Sequence, residues 1–176
     1  ITLLLLSLFF SIVGYAQFTP TVEGFESTTG PDPSPSTNWT LSTGNWTVFG
    51  NGFGNNVRWG INATVAQPPI VYQGTNAAFC NRENLNPNVP NTLQDYLVSP
   101  LVNIPSNGEL HFFTRMFQVA DQGSAFKIMV APSTITDVTD INNYTPVQVW
   151  SEADLLSGNF NVYQEKVVSL IDYVGM

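Results

Sequence analysis

Charged residues are scarce in this chain, and basic residues are scarcer still. Only 10% of its 176 residues are charged, with 5 Lys and Arg against 13 Asp and Glu, which leaves a formal net charge of −8. Globular domains usually have about a quarter of their residues charged. Nucleic-acid binding requires a basic stripe that this composition cannot supply, so nucleic acid is not an expected partner. Asn, Thr, Ser, Gly and Pro provide the polarity instead, which favours an extracellular β protein with many turns.

Cysteine and histidine each occur only once, as Cys80 and His111. A lone cysteine excludes an intramolecular disulfide, and the apolar run around Cys80 predicts a buried structural thiol. One Cys and one His far apart in sequence do not make a zinc cluster. No G-x-S-x-G motif accompanies the single His, so the sequence does not predict a Ser-His-Asp hydrolase. His111 is expected to be an exposed or half-packed strand residue.

Helical periodicity is missing as well. After residue 17, apolar residues form short runs separated by Gly, Pro and Asn, which is the pattern of strands and turns. The two clearest runs, Tyr96–Ile104 and Leu110–Phe117, flank the sequence Pro-Ser-Asn-Gly and are predicted to pair as an antiparallel hairpin, with the first run bordered by strands on both sides. Leu97, Leu110 and Phe112 are expected in the core, because alternate residues of a strand face the same side.

The other predicted strands are equally short. They are Val22–Glu26, Trp39–Leu41, Trp46–Phe49, Val57–Gly60, Ile70–Tyr72, Ala77–Cys80, Phe126–Ala131, Val147–Trp150 and Val162–Leu170. One helical turn is predicted within Ile135–Tyr144, capped by Thr136 or Thr139. Short strands with Gly and Pro turns predict an all-β fold, namely an antiparallel β-sandwich of jelly-roll type. The chain shows no internal repeat or linker, so one domain is expected.

The N-terminal run is apolar and carries no charge. It spans Ile1–Ala16, and Gly14 and Ala16 occupy the −3 and −1 positions of a plausible cleavage site before Gln17. The run is shorter than the ~20 apolar residues that a membrane-spanning helix needs. Residues 1–17 are therefore assigned to a secretory signal without its N-terminal part, which predicts a secreted or cell-surface protein and no membrane span in the mature chain. The alternatives are a buried strand and an N-terminal anchor helix.

Several short motifs carry a family resemblance. The segments Asp95–Pro100, with the sequence DYLVSP, and Gly108–Phe112, with the sequence GELHF, are similar to the central motif of the choice-of-anchor J family. This family is also called the cleaved-adhesin domain and is known from the adhesin regions of gingipain proteases. The opening Gly24–Glu26, the segment Gly74–Ala78 and the closing Tyr163–Gly175 resemble further motifs of the same family.

The resemblance implies a jelly-roll sandwich over residues 18–176, made by Gram-negative bacteria and often exported by type IX secretion with a C-terminal sorting domain. It also implies adhesion or accessory binding beside a catalytic domain. Family members usually continue past the closing motif, whereas this sequence stops at Met176. We therefore expect a sandwich truncated at its C-terminal edge and a larger parent polypeptide.

The resemblance also marks two acidic residues, Glu26 and Asp95. Carboxylates and loop carbonyls are the ligands of calcium, so a structural calcium held by these two residues is a candidate cofactor. Against it, the loop Gly50–Asn56 carries no carboxylate where family members are often Asp-rich. The simpler alternative is that Asp95 caps a turn through its own backbone and that Glu26 is a solvated strand end.

Catalysis has one candidate pair of carboxylates. A glycosidase on a jelly roll needs two carboxylates facing one cleft, and Glu152 and Asp154 have the spacing of one strand face. However, Ser151–Gly158 has the composition of a loop and offers no third acid. The sequence therefore predicts a non-catalytic adhesion or binding module for a glycan or a host or matrix protein. A structural spacer beside a catalytic domain, and a jelly-roll carbohydrate-active enzyme, are the alternatives. Tryptophans exposed on one sheet face would favour glycan binding, and buried tryptophans the spacer.

Overall fold

The computed structural model describes residues 21–26, 38–53, 59–63, 71–80, 93–116, 121, 123–156 and 161–176. Within these residues the protein is mostly β, with antiparallel pairing and one short helix. The strands are β1 (Asn38–Leu41), β2 (Gly44–Gly50), β3 (Trp59–Ala63), β4 (Asn76–Cys80), β5 (Asp95–Val98), β6 (Glu109–Thr114), β7 (Ala125–Val130), β8 (Thr145–Ser151) and β9 (Gln164–Ser169). Helix α1 spans Glu152–Leu156, and single 3-10 turns lie at Ile141–Asn143 and Ile171–Tyr173.

Two findings concern the predicted secretory signal and the membrane. Residues 1–17, which the sequence assigns to the signal, lie outside the described residues. Among the helices that are described, none has the length and apolar character that crossing a bilayer requires.

A three-stranded sheet with the order β1-β2-β5 opens the fold. Its first two strands form an antiparallel hairpin, and they correspond to the predicted strands Trp39–Leu41 and Trp46–Phe49. The turn between them leads into β2 at Gly44. The φ of Gly44 is +126°, which disfavours any residue with a side chain, and a Cβ at this position would overlap the Pro100 ring. Strand β5 then pairs with β2, placing Leu97 opposite Val48.

Each remaining sheet has two strands. Strand β3 pairs with β4, β6 pairs with β9, and β7 pairs with β8 with one register irregularity between Ile128 and Met129. These ladders establish a mostly β protein with antiparallel sheets. They do not by themselves show a jelly-roll sandwich.

The predicted hairpin between Tyr96–Ile104 and Leu110–Phe117 is wrong. The turn itself does form, since the Gly108 N–H donates to the Pro105 carbonyl at 2.8 Å. However, the first strand ends before Pro100, because the two prolines that frame this run have no N–H to give to a ladder. Among the strands that the structure describes, β5 forms a ladder only with β2 and lies at the edge of its sheet, and β6 forms its ladder with β9.

Other predictions differ in smaller ways. The opening Val22–Glu26 does not form a strand, and Phe25 takes a φ of +58° within it. Strand β3 is described from Trp59, and residues 57–58 of the predicted strand lie outside the described residues. The 3-10 turn is capped by Asp140, whose carboxylate accepts a backbone N–H two residues ahead. The Cys80 thiol is exposed because Cys80 is the last residue of β4, so the prediction of a buried thiol is wrong.

The predicted strand Ile70–Tyr72 is also not seen as a strand. Residue 70 lies outside the described residues, and residues 72–75 form a bend that leads into β4. Within this bend Gly74 takes a φ of +81°, which is not an extended conformation.

The best-packed part of the core lies under the β1-β2-β5 sheet. It consists of Trp39, Leu41, Val48 and Ile61. Partly buried side chains pack around it, including Phe25, Trp46, Trp59, Ala78 and Leu97. Leu97 therefore faces the core as predicted, although it is half-buried.

A second apolar contact region connects the smaller sheets. The Phe112 ring of β6 lies 5.7 Å from Phe126 of β7 and 5.9 Å from Trp150 of β8, measured between ring centroids. Phe126 also meets Trp59 of β3 at 6.3 Å. These rings place the inner face of β6 against β7 and β8, so the faces of β6 are oriented as the sequence predicts.

Candidate functional site

Strand β6 has two unlike faces, which its pleat separates. The half-buried face carries Leu110, Phe112 and Thr114, and the exposed face carries Glu109, His111 and Phe113. Strand β9 continues the exposed face, because its exposed residues lie directly opposite those of β6. We call this side the outer face of β6–β9, formed by Glu109, His111, Phe113, Glu165, Val167 and Ser169.

An aromatic cluster stands at one end of the outer face. The ring of Tyr72 stacks on that of Phe113 with centroids 3.8 Å apart and planes 10° apart. Tyr163 meets Tyr72 edge-on at 5.3 Å, and the Arg115 guanidinium carbon lies 5.1 Å from the Tyr163 ring centroid. Tyr72 nevertheless remains 52% exposed and Phe113 41% exposed. We call these four residues the outer aromatic cluster.

Beside this cluster, His111 sits between two glutamates. Its Nε2 lies 3.1 Å from Glu109 Oε2, and its Nδ1 lies 3.0 Å from Glu165 Oε1. These hydrogen bonds, first that of Glu165 and then that of Glu109, raise the pKa of His111 above its ordinary value because both favour the protonated ring. All three side chains are about half exposed, so solvent screens the ion pairs. The prediction of an exposed strand residue is confirmed.

The bend that carries Tyr72 is fastened by Glu26. The Glu26 carboxylate accepts the N–H groups of Thr75 at 2.7 Å and Asn76 at 3.1 Å, and it accepts a short hydrogen bond from the Thr75 hydroxyl. These bonds, the Thr75 hydroxyl first, lower the pKa of Glu26 because they favour the charged form. A Cβ at Gly74 would overlap this carboxylate, so the bend needs glycine at that position.

A second contact fixes the same bend from the β9 side. The backbone of Tyr72 hydrogen-bonds the hydroxyl of Tyr163, the residue that immediately precedes β9. Burial raises the pKa of Tyr163, and the nearby Arg115 charge opposes this in part. In the outer aromatic cluster, Phe113 belongs to β6, Tyr163 directly precedes β9, and Tyr72 lies in a bend that hydrogen bonds hold in place. The cluster is therefore pre-organised, which lowers the entropy cost of binding.

Residues 21–26, which we call the opening segment, connect this bend to the core. Glu23 accepts the Thr43 hydroxyl at 2.6 Å and the Phe25 N–H at 2.6 Å, and the Thr43 hydroxyl in turn accepts the Trp46 indole N–H at 2.9 Å. Phe25 packs edge-on against Trp46 with centroids 5.4 Å apart. Glu23 thus secures the β1–β2 turn while Glu26 secures the bend of Tyr72.

The two predicted calcium ligands occupy different settings. The Glu26 carboxylate accepts the hydrogen bonds from Thr75 and Asn76 that hold the bend, as described above. The Asp95 carboxylate lies 3.9 Å from the Cys80 thiol, and its backbone carbonyl accepts the Trp59 indole N–H at 3.2 Å. In the part of the chain that the structure describes, no three His, Cys, Asp or Glu side chains form a metal-binding group. The calcium site at Glu26 and Asp95 stays a prediction.

The candidate catalytic pair lies on helix α1 rather than on a loop. Residues two apart on a helix point about 200° from each other, so the two carboxylates do not share a face. Glu152 is 1% exposed and accepts the Ser124 N–H at 3.1 Å, which ties α1 to the start of β7. Asp154 is exposed and accepts the N–H and hydroxyl of Ser151 at 2.9 and 2.7 Å. The arrangement secures the helix at both carboxylates.

The four tryptophans are packed against other side chains rather than exposed to solvent. Trp39 is 7% exposed, and Trp46, Trp59 and Trp150 are half-buried against other rings. The rings with the largest free surface among the described aromatics are therefore not the tryptophans.

Comparison with known protein families, curated proteins and solved structures found no match.

Sequence reasoning missed the outer aromatic cluster. Tyr72 was assigned to a strand and Tyr163 to a closing motif, and the two lie far apart in the chain. One signal was present: Phe113 and Arg115 share the face of His111 in the alternating pattern of β6. That pattern marks the face as one that carries rings and charge together, although it does not identify Tyr72 as the partner of Phe113.

Proposed function

We propose that this chain is a non-catalytic extracellular binding or adhesion module of a secreted bacterial protein, and that it binds its partner with the outer face of β6–β9. The observation that supports this is the exposed stacked pair: Tyr72 is 52% and Phe113 41% exposed. Rigid aromatic side chains give large contact area for little loss of conformational entropy, and they are enriched at binding hot spots.

The polar surroundings of the pair support the same function. His111 lies on the same face as Phe113, Glu165 is the ladder partner of Phe113, and the Arg115 guanidinium contacts the Tyr163 ring. A ring centre with charged and hydrogen-bonding side chains at its rim has the composition of a binding surface. By contrast, an isolated exposed apolar residue needs no explanation.

The proposal includes the setting that the family resemblance implies. The module would be a jelly-roll sandwich of the choice-of-anchor J type, within a larger parent polypeptide at the cell surface or outside the cell. The antiparallel sheets, the low charge content and the run Ile1–Ala16 support this setting. A glycan and a host or matrix protein are the two partner classes.

The test compares two single substitutions at equally exposed rings. Phe113 and Phe53 are both 41% exposed, but only Phe113 belongs to the outer aromatic cluster. The purified protein, Phe113→Ala and Phe53→Ala would be applied to arrays of immobilised polysaccharides and matrix proteins. We expect wild type and Phe53→Ala to bind at least one component and Phe113→Ala to bind it more weakly. Binding that Phe113→Ala leaves intact would place the site elsewhere, and an array without any bound component would refute the proposal.

A structural spacer is the second candidate, and the packing of the four tryptophans favours it. Side chains such as Trp39 and Trp46 stabilise the interior and offer little ring surface to a ligand. A spacer would bind nothing on the arrays. It would instead raise the unfolding temperature of its neighbouring domain when both are in one polypeptide, which differential scanning calorimetry of the parent protein with and without this domain would measure.

A further inference from the structure

The chemistry of the outer face narrows the class of ligand. The Tyr72 ring stacks on Phe113, and Tyr163 meets it at an interplanar angle of 62°. Tyr72 is still 52% exposed and Phe113 41% exposed, so this rigid stacked pair presents aromatic surface to solvent. Tyrosine rings stack on other flat apolar surfaces, and their hydroxyl group forms hydrogen bonds with water or a ligand.

Hydrogen-bond acceptors lie next to that surface. Glu165 is directly opposite Phe113 in the ladder, which puts their Cβ atoms about 4.5–5.5 Å apart. His111 uses one oxygen of Glu165 and one of Glu109. The second oxygen of each carboxylate is left to accept further hydrogen bonds, since each ionised carboxylate has about four acceptor positions. Both side chains are about half exposed, so these acceptors reach solvent.

The outer face does not favour a charged polymer. It carries two glutamates and one His, which already bond to each other, and the whole chain has a formal net charge of −8. A polyanion gains nothing from such a surface and is repelled by the rest of the chain. A polycation finds both glutamates already bonded to His111 and Tyr163 already in contact with Arg115.

The outer face of β6–β9 is also longer than a single sugar ring. From Glu109 to Phe113 the strand advances about 13 Å, at about 3.3 Å per residue, which is longer than one pyranose ring. A chain of linked rings with many hydroxyl donors would match a surface that offers one ring platform at its end and acceptors along its length.

We infer that the outer face of β6–β9 binds a neutral polysaccharide, with a sugar ring stacked on Tyr72 and hydroxyl groups donated to Glu165 and Glu109. This inference rests on the proposed binding function and names its ligand class. The sugar face replaces water over the exposed ring, and the hydroxyls replace water at carboxylates that the His111 ring already holds in place.

Native affinity electrophoresis tests this directly, since the acidic protein migrates well at neutral pH. Gels would contain hydroxyethylcellulose, galactomannan or the anionic polygalacturonate, and immobilised polylysine would probe a cationic ligand. The variants are Tyr72→Ala, Tyr72→Phe as the conservative rescue, and Phe53→Ala as the control ring. Urea unfolding of each variant verifies that it is folded.

We expect a neutral polysaccharide to retard wild type, Tyr72→Phe and Phe53→Ala, and Tyr72→Ala to lose about tenfold in affinity or more, which corresponds to ~1.4 kcal/mol. Retardation that Tyr72→Ala leaves unchanged would overturn the inference, and so would binding to polygalacturonate or polylysine alone. Failure of every polymer would overturn it too, and in that case the proposed binding function would survive only if the arrays with matrix proteins gave a bound component.

Discussion

Two neighbouring phenylalanines on β6 allow a sharp test of which way this strand faces. Phe112 is half-buried and in ring contact with Phe126 and Trp150, whereas Phe113 is 41% exposed and stacks only on Tyr72 among the described rings. Both residues lose the same atoms on mutation to Ala. Any difference between the two variants therefore reports the environment and not the chemistry of the substitution.

The magnitude follows from burial. Replacing a fully buried Phe by Ala costs about 3–5 kcal/mol. Because Phe112 is only half-buried, we expect Phe112→Ala to lower the free energy of unfolding by about 2–3 kcal/mol. For Phe113→Ala we expect about 1 kcal/mol, the usual value of one aromatic pair beyond its buried area. In a domain of this size 1 kcal/mol shifts Tm by about 2–4 °C, so the two melting temperatures should differ by roughly 2–8 °C.

Urea denaturation followed by tryptophan fluorescence measures both values, and the slope m should stay constant between variants. Equal losses, or a larger loss for Phe113→Ala, would refute the orientation of β6. Such a result would indicate that β6 is shifted by one residue in register, because this shift exchanges the two faces of a strand. A changed m in only one variant would instead indicate that the substitution alters the unfolded state.

Three further predictions concern the site and its surroundings. The single His gives one pair of imidazole C–H resonances in NMR, and we expect their titration midpoint above 6.5 because the two glutamates raise the pKa of His111. Since His111 has a raised pKa in the folded state, its stabilising contribution should be complete below the unfolded pKa and vanish as pH rises through the folded pKa. The variant His111→Gln should not show this loss, and a midpoint below 6.5 would contradict the ion pairs. Gly74→Ala should destabilise more than Gly123→Ala, because both positions have φ near +80° but only at Gly74 would the new Cβ overlap Glu26; equal losses in urea would dismiss the overlap. The thiol of Cys80 should react with a chromogenic disulfide reagent in the native protein, and reaction only after unfolding would show that the thiol is covered.

The local pattern of the sequence was sufficient to locate the strands β1–β9 and to set the phase of β6, although it also predicted strands at Val22–Glu26 and Ile70–Tyr72 that do not form in the described residues. Alternation with period two placed Phe112 and His111 on opposite sides, and the structure confirms this because the pleat leaves no other arrangement. The β1–β2 hairpin was predictable for a similar reason: its turn lies between runs that are adjacent in the chain.

The pairing between distant strands was not predictable in this way. A run such as Asp95–Val98 offers the same apolar residues to any neighbouring strand, and its ladder with β2 depends on the whole fold. The same holds for the site. Glu26 meets Thr75 at a sequence separation of 49 residues, and no local pattern in either segment specifies the other. That long-range contact and the hydrogen bond between the Tyr163 hydroxyl and the Tyr72 backbone hold the bend from which the Tyr72 ring reaches Phe113.

The distance in sequence between β6 and β9 also affects how the protein is made. His111 and Glu165 are 54 positions apart, and ribosomes add about 5–20 residues each second. For about 3–10 s the newly made β6 therefore has no partner strand, and both its backbone edge and its Phe side chains are open to other chains. An unpaired strand with apolar residues is a template for intermolecular pairing. Completion of β9 converts this exposed strand into half of a ladder, so the synthesis of β9 ends the period in which the edge of β6 is open to another chain.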